Sequence, residues 1–256
     1  MLRFKNAVLD TLAITRRNLI RNIKSPQIIV FSTIQPIMFL LLFNYVFGGA
    51  IKLTSGSSYI NYLLPGMVIQ IVLFASTQAV IAMNADMGSG IIDRFKTLPI
   101  SRSAVVFGRV LADMTRGFFV LCVLATLGFI LGFRPTQGIL RSFLALGLVM
   151  LFSFVFAWVS ITLGLLAKDP ESAQALGFVW VFPLVFASSI FVPTATMPHW
   201  LQVFALHQPI TLVANSVRGL TVTGNISDLI PALLWLAGLF IVFFSLSIRL
   251  YSRKVS

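Results

Sequence analysis

The chain of 256 residues is 58% hydrophobic, carries 24 Phe and has a mean hydropathy of +0.96, which excludes a soluble globular domain and requires an integral membrane protein. Its net charge of +12 would point to nucleic acid in a soluble protein, but here the basic residues flank apolar runs. Anionic headgroups and membrane topology account for them, and nucleic acid drops out as a partner.

Residues 1–24 hold Arg3, Lys5, Arg16, Arg17, Arg21 and Lys24 and no continuous apolar region, so they do not read as a cleavable secretory signal. Phe4, Val8, Leu12, Leu19 and Ile23 fall on one helical face, which predicts an interfacial helix lying in the cytoplasmic headgroup layer. Ser25-Pro26 reads as a cap and first-turn proline. Apolar stretches long enough to span a bilayer as helix then follow at 27–47, 60–83, 104–133, 142–167, 173–193 and 229–250, predicting an all-α fold with six transmembrane helices. The uninterrupted apolar part of the third is Gly117 to Phe133, because Arg109, Asp113 and Arg116 punctuate its start. The sole cysteine, Cys122, lies in this run; it rules out a disulfide framework, argues against a metal cluster and reads as a small core residue. The stretch 194–228 is too long for a plain loop. Pro198 and Pro209 divide it into two short helical pieces with Trp200, Phe204, Leu212, Val213 and Val217 as apolar teeth, lying on the outer leaflet or dipping into it.

Six spans put both termini on one side, and the charges choose which. With cytoplasmic termini, 15 of the 19 Lys and Arg lie inside, and Lys52, Arg134, Arg141 and Arg218 outside, which fixes the orientation. No internal repeat or soluble domain is visible, so 1–256 is one membrane domain.

Motifs for chemistry are absent. There is no phosphate-binding loop sequence, no H-E-x-x-H, no C-x-x-C and no pair of carboxylates within a span, so neither a nucleotide nor a metal site is expected on this chain. A serine protease built from Ser89 with His199 or His207 fails on topology, since the serine and the histidines lie on opposite sides of a bilayer about 30 Å thick. Arg109, Asp113 and Arg116 are spaced four and three apart and can pair along one helix face; they either sit at the inner headgroups or form an inner gate between two protomers. Gln35, Asn44, Gln70, Gln78 and Gln174 are uncharged polar residues within spans, suited to bonding neighbouring helices or to lining a path for an amphiphile.

Between the second and third apolar runs, Met87, Ile91, Phe95 and Leu98 recur at helical spacing while Asp86, Asp93, Arg94, Lys96 and Thr97 lie off that row and Pro99 ends it. Residues 85–99 are therefore expected to form a short amphipathic helix on the cytoplasmic side, docked on headgroups or in a groove of a soluble partner; periodicity leaves that choice open.

The segment "GSGIIDRFKTLPISRSAVVFGRVLAD" resembles the stretch that marks ABC type-2 export permeases of the daunorubicin-resistance kind. "RNLIRNIKSPQIIVFSTIQPIMFLLLFNYVFGG", "YINYLLPGMVIQ" and "MPHWLQVFALHQPITLVANSVRGL" agree, in order, over nearly the whole chain. The resemblance implies a homodimer of six-span protomers, each with an amino-terminal interfacial helix, a cytoplasmic coupling helix and outer re-entrant helices. It implies a separate ATPase subunit in two copies, holding the ATP and magnesium, so that this chain binds no cofactor and is not itself an enzyme. Gly90, Ile91, Asp93, Arg94, Phe95, Lys96, Leu98, Pro99 and Arg102 would couple it to that ATPase. The cargo, a drug, secondary metabolite or lipid, would leave the bacterial cytoplasmic membrane along the dimer interface. A permease of the same fold for lipid-linked polysaccharide, and an autonomous channel or secondary transporter, are the competing readings; missing inverted repeats and buried carboxylates weigh against the last.

Overall fold

In lipid an apolar segment can satisfy its backbone only as a helix or a closed barrel, and this chain takes the first course. A computed structural model describes residues 2–23, 26–49, 58–88 and 102–255. The helices are α1 (Leu2–Ile23), α2 (Pro26–Leu42, prolonged by a π turn Phe43–Phe47), α3 (Tyr59–Gly88), α4 (Arg102–Ile130), α5 (Ile139–Leu166), α6 (Pro170–Phe186), α7 (His199–His207), α8 (Pro209–Arg218, followed by a π turn Gly219–Thr223) and α9 (Leu229–Val255). No strand occurs among the described residues. Four helical segments among them are long and apolar enough to cross a membrane: Tyr59–Gly88, Phe107–Ile130, Ile139–Leu166 and Leu229–Arg253.

Several boundaries differ from the sequence expectation. Helix α3 runs on to Gly88, so residues 85–88, assigned above to the amphipathic helix, continue the preceding span. The fifth apolar stretch, expected to be helical to residue 193, leaves the helix after Phe186; the polar groups that hold 187–193 come from distant elements, as described below. Cys122 faces outward rather than into the core, where a small thiol side chain is as well suited to lipid as to protein. Pro198 and Pro209 do divide the outer segment as expected, capping α7 and opening α8.

Helix α3 packs against α5, α6, α8, α4 and α2, and its buried side chains Ile60, Leu63, Met67, Ile69 and Leu73 lead the main hydrophobic core. With no hydrophobic drive between helices in lipid, close approach at small residues and hydrogen bonds must hold them together. Both devices are present. Thr77 donates to the Gly177 carbonyl at 3.2 Å, Asn84 Nδ2 donates to the Ala167 carbonyl at 2.9 Å, and Thr162 meets Ser247 at 2.7 Å between α5 and α9. A Cβ on Gly164 would stand 2.7 Å from both Met83 Cβ and the Val80 carbonyl oxygen, whereas one on Gly147 of the same helix meets nothing within 4 Å. Gly164→Ala is therefore expected to lose about 1–3 kcal/mol by overpacking, read as a lowered Tm in detergent, while Gly147→Ala leaves Tm unchanged.

The bundle has two distinct ends. Met83, Leu165 and Tyr251 share a cluster at one end. There α1 also crosses α4, with Ile14 and the Thr11 carbonyl so close that a Cβ on Gly108 would come within 2.9 Å of each. Leu12, on the expected apolar stripe of α1, remains 56% exposed and free to face lipid. At the other end Tyr59, Tyr62, Arg134 and Arg218 gather. The beginning of α6 lies at the first end, where the Asp169 side chain accepts from the Ser172 N–H at 2.7 Å in a capping box; that hydrogen bond holds the Asp169 carboxyl below its usual range.

Candidate functional site

A cavity of about 360 Å³ opens between α2, α3 and α4, with Asn18 of α1 and Phe178 of α6 also lining it. Its floor is a stripe of α3 in which Gln70, Phe74, Gln78, Ala82 and Asp86 follow one another at four-residue spacing. That spacing stacks side chains on one helix face, and from Gln70 to Asp86 it covers about 24 Å at the helical rise. The stripe is thus longer than one leaflet's half of a hydrocarbon core about 30 Å thick.

Its two ends differ chemically. Phe39, Met67, Ile71 and Phe74 make one half apolar, and Gln70 sits within it, 4% exposed, with its Oε1 buried and without a hydrogen-bond partner among the described residues. The other half carries charges. Arg109 Nη1 makes an ion pair with Asp86 Oδ2, its Nε lies 4.0 Å from Asp113, and Arg116 Nη2 is 3.6 Å from Asp113 Oδ1. The expected pairing of Arg109, Asp113 and Arg116 along one face is present, and Asp86 is the member that sequence reading missed. Side-chain exposures of 14% to 23% for the four make the cluster largely desolvated, where an ion pair holds its geometry more firmly than at a surface. The Asp86–Arg109 pair joins the end of α3 to the beginning of α4, the two helices that flank residues 89–101.

Of the polar residues proposed for a path, Gln35, Gln70 and Gln78 line the groove, and Asn44 and Gln174 do not. Gln174 lies exposed on α6. Gly90, Ile91, Asp93, Arg94, Phe95, Lys96, Leu98 and Pro99 lie outside the described residues, and Arg102 opens α4.

At the opposite end lies Arg218, counted above among the outer charges and here buried rather than solvated. It is 5% exposed and donates from Nε to the Tyr62 carbonyl (2.8 Å), from Nη1 to Ser189 Oγ and Asn215 Oδ1 (both 3.0 Å), and from Nη2 to the carbonyls of Ser189 (2.6 Å) and Ile190 (3.0 Å). Its guanidinium stacks on the Tyr62 ring at 3.7 Å. Asn215 in turn donates to Asp228 at 2.9 Å. This is why the chain can leave the helix after Phe186: Tyr59 and Tyr62 donate to the carbonyls of Phe191 and Ser189, Gln208 to that of Ala187, and Arg218 to those of Ser189 and Ile190. Irregular backbone in such a place needs protein partners. Gly66 is what admits the guanidinium, since a Cβ there would stand 2.5 Å from the Ile190 carbonyl oxygen and 2.8 Å from Arg218 Nη2.

The described residues form a helical membrane bundle with a long groove, and comparison with known proteins names the kind. Residues 10–222 match the family of ABC-2 type transporters, and the chain belongs to that family. Within it, the chain is 34% identical over 230 residues to the daunorubicin resistance ABC transporter permease protein DrrB1 of Streptomyces coeruleorubidus, covering 90% of this chain and 81% of that one. It is 25% identical to the doxorubicin resistance ABC transporter permease protein DrrC of Mycobacterium tuberculosis over 92% of this chain and 85% of that one. It is 26% identical to the DrrB permease of the same organism over 82% and 75%. The chain is a multi-pass membrane permease of an ABC exporter.

Proposed function

We propose that two copies of this chain form the membrane path of an exporter for a hydrophobic or amphiphilic compound, driven by a separate ATPase present in two copies that holds the ATP and magnesium. The permease has six spans in the bacterial cytoplasmic membrane, with α2 and α6 joining the four long helices, both termini cytoplasmic, and α7 and α8 as the outer re-entrant pair. The observation that carries this reading is the groove itself: apolar over half its length, charged where α3 and α4 meet, and long enough to guide an amphiphile across a leaflet. The printed names of the relatives, which concern daunorubicin and doxorubicin resistance, support a drug-like cargo.

The mechanism asks for movement rather than covalent chemistry. ATP-driven closure of the partner displaces the coupling segment within 89–101, and the segment shifts the ends of α3 and α4. Because Asp86 and Arg109 tie those ends together, the displacement reaches both walls of the groove at once and moves it from an inward-open or closed state to an outward-open one. Arg109, Asp113 and Arg116 then act as an inner gate, re-pairing as the walls separate.

The test is co-purification with an ABC ATPase, sought first in the adjacent gene, followed by hydrolysis and export assays with doxorubicin in proteoliposomes. Phe95→Asp places a charge on the apolar row that anchors the coupling segment. It is expected to leave the permease folded and to lower drug-stimulated hydrolysis about tenfold, the equivalent of losing one anchoring aromatic. A variant that retained full stimulation would show that Phe95 is no anchor.

A further inference from the structure

The feature left unexplained is Gln70. A buried amide oxygen without a donor costs about as much as a lost hydrogen bond, and such a group in a well-packed helix is expected to have a partner. The oxygen itself is closed off, but Gln70 lines the groove, and a turn about its soft terminal torsion would present the oxygen there. It also lies near the middle of α3, eleven residues from Tyr59 and eighteen from Gly88, at a depth where a charged side chain would be expensive and a neutral amide is tolerable. Around it Phe39 and Phe74 present ring surface, with Phe178 also lining the groove.

We propose that Gln70 determines specificity in this groove: its carboxamide hydrogen-bonds a hydroxyl or N–H group of the cargo, while the cargo's apolar body lies against Phe39, Phe74 and Phe178. The inference rests on the export reading above and deepens it, turning a general amphiphile into one that carries a neutral donor on an apolar frame. The contact selects more than it attracts. Once turned to the groove the amide can be satisfied by water between cycles, so a cargo with a donor exchanges one hydrogen bond for another. A cargo without one strands the acceptor in a dry site and is disfavoured.

The test uses the full chain with its ATPase in lipid nanodiscs and doxorubicin as probe, an aromatic tetracycle bearing hydroxyl groups, followed by its own fluorescence. Gln70→Met keeps the side-chain length and removes the acceptor. It is expected to weaken doxorubicin binding about tenfold, the worth of one buried hydrogen bond. Gln70→Glu keeps an acceptor at the same reach and is expected to bind within about threefold of the parent. Should Gln70→Met fail to accumulate, Gln70→Cys in a Cys122→Ala background decides the matter. Saturating doxorubicin should slow its maleimide labelling and leave that of Asn44→Cys, outside the groove, unchanged.

Equal binding by Gln70→Met and parent, or unprotected Gln70→Cys, overturns the subsite and leaves the export reading standing. A change in protomer number on Gln70→Met places the amide at a contact between copies and also overturns it. If the parent shows no saturable doxorubicin binding, the drug-export reading falls and the subsite with it.

Discussion

Arg218→Met is expected to remove the protein from the membrane as a folded species. Five donor contacts end on the Tyr62, Ser189 and Ile190 carbonyls, Ser189 Oγ and Asn215 Oδ1, and Met supplies none. Tyr62 and Tyr59 keep their own bonds to Ser189 and Phe191, but the Ile190 carbonyl loses its donor at a residue that is fully buried. At about 1–3 kcal/mol for each polar group stranded, the loss reaches about 4 kcal/mol or more, a large part of a typical domain's total stability of about 5–15 kcal/mol. Arg218→Lys retains a positive charge but replaces a planar fork with a point donor, so it should recover only part of the loss. Gly66→Val should resemble Arg218→Met, because its added methyl groups occupy the guanidinium's space. Fluorescence-detected size exclusion after mild heating reads all three. A monodisperse Arg218→Met protein with the parent's Tm would mean that residues 187–193 are held by something else.

That prediction could not have come from the sequence. Hydropathy places Arg218 in an outer segment, and a charge count treats every such arginine alike, whether it faces water like Arg134 or lies buried against Tyr62. The same limit hid the end of α6. The run to Val192 carries no charge, and composition does not separate a helix from an irregular strip whose carbonyls accept from Tyr59, Tyr62, Gln208 and Arg218, residues up to 132 positions away. What local chemistry dictates was legible: the long helices from their apolar runs, the division of 194–228 by Pro198 and Pro209, the family from its ordered motifs, and the pairing of Arg109, Asp113 and Arg116 from their spacing. The groove was half legible. Five polar span residues looked equivalent, and only the packing of α2, α3 and α4 separates Gln35, Gln70 and Gln78 from Asn44 and Gln174.

Asp86 was out of reach for a related reason, since its partner Arg109 lies 23 residues away across the charged segment, and this pair supports the second large effect. If the ion pair tied α3 to α4 for stability alone, Asp86→Asn and Arg109→Gln would each lower Tm and leave export per folded molecule untouched. If it passes the displacement of residues 89–101 into the groove walls, each variant should fold yet export about 30-fold more slowly. That is roughly 2 kcal/mol, less than for a fully buried pair because both side chains keep some solvent contact. The double variant separates the pair from its parts. Removing one member leaves the other charge, mostly desolvated, without this contact between α3 and α4. Removing both takes out the two charges together, so the double variant should export no worse than either single one, with a coupling of about 1–3 kcal/mol between the two positions. Additive losses would dissolve the link and return Arg109 to a simple neighbour of Asp113. Basal hydrolysis by the ATPase should stay constant throughout, because the pair acts after the nucleotide step, and a fall in basal rate would move its role to assembly of the complex.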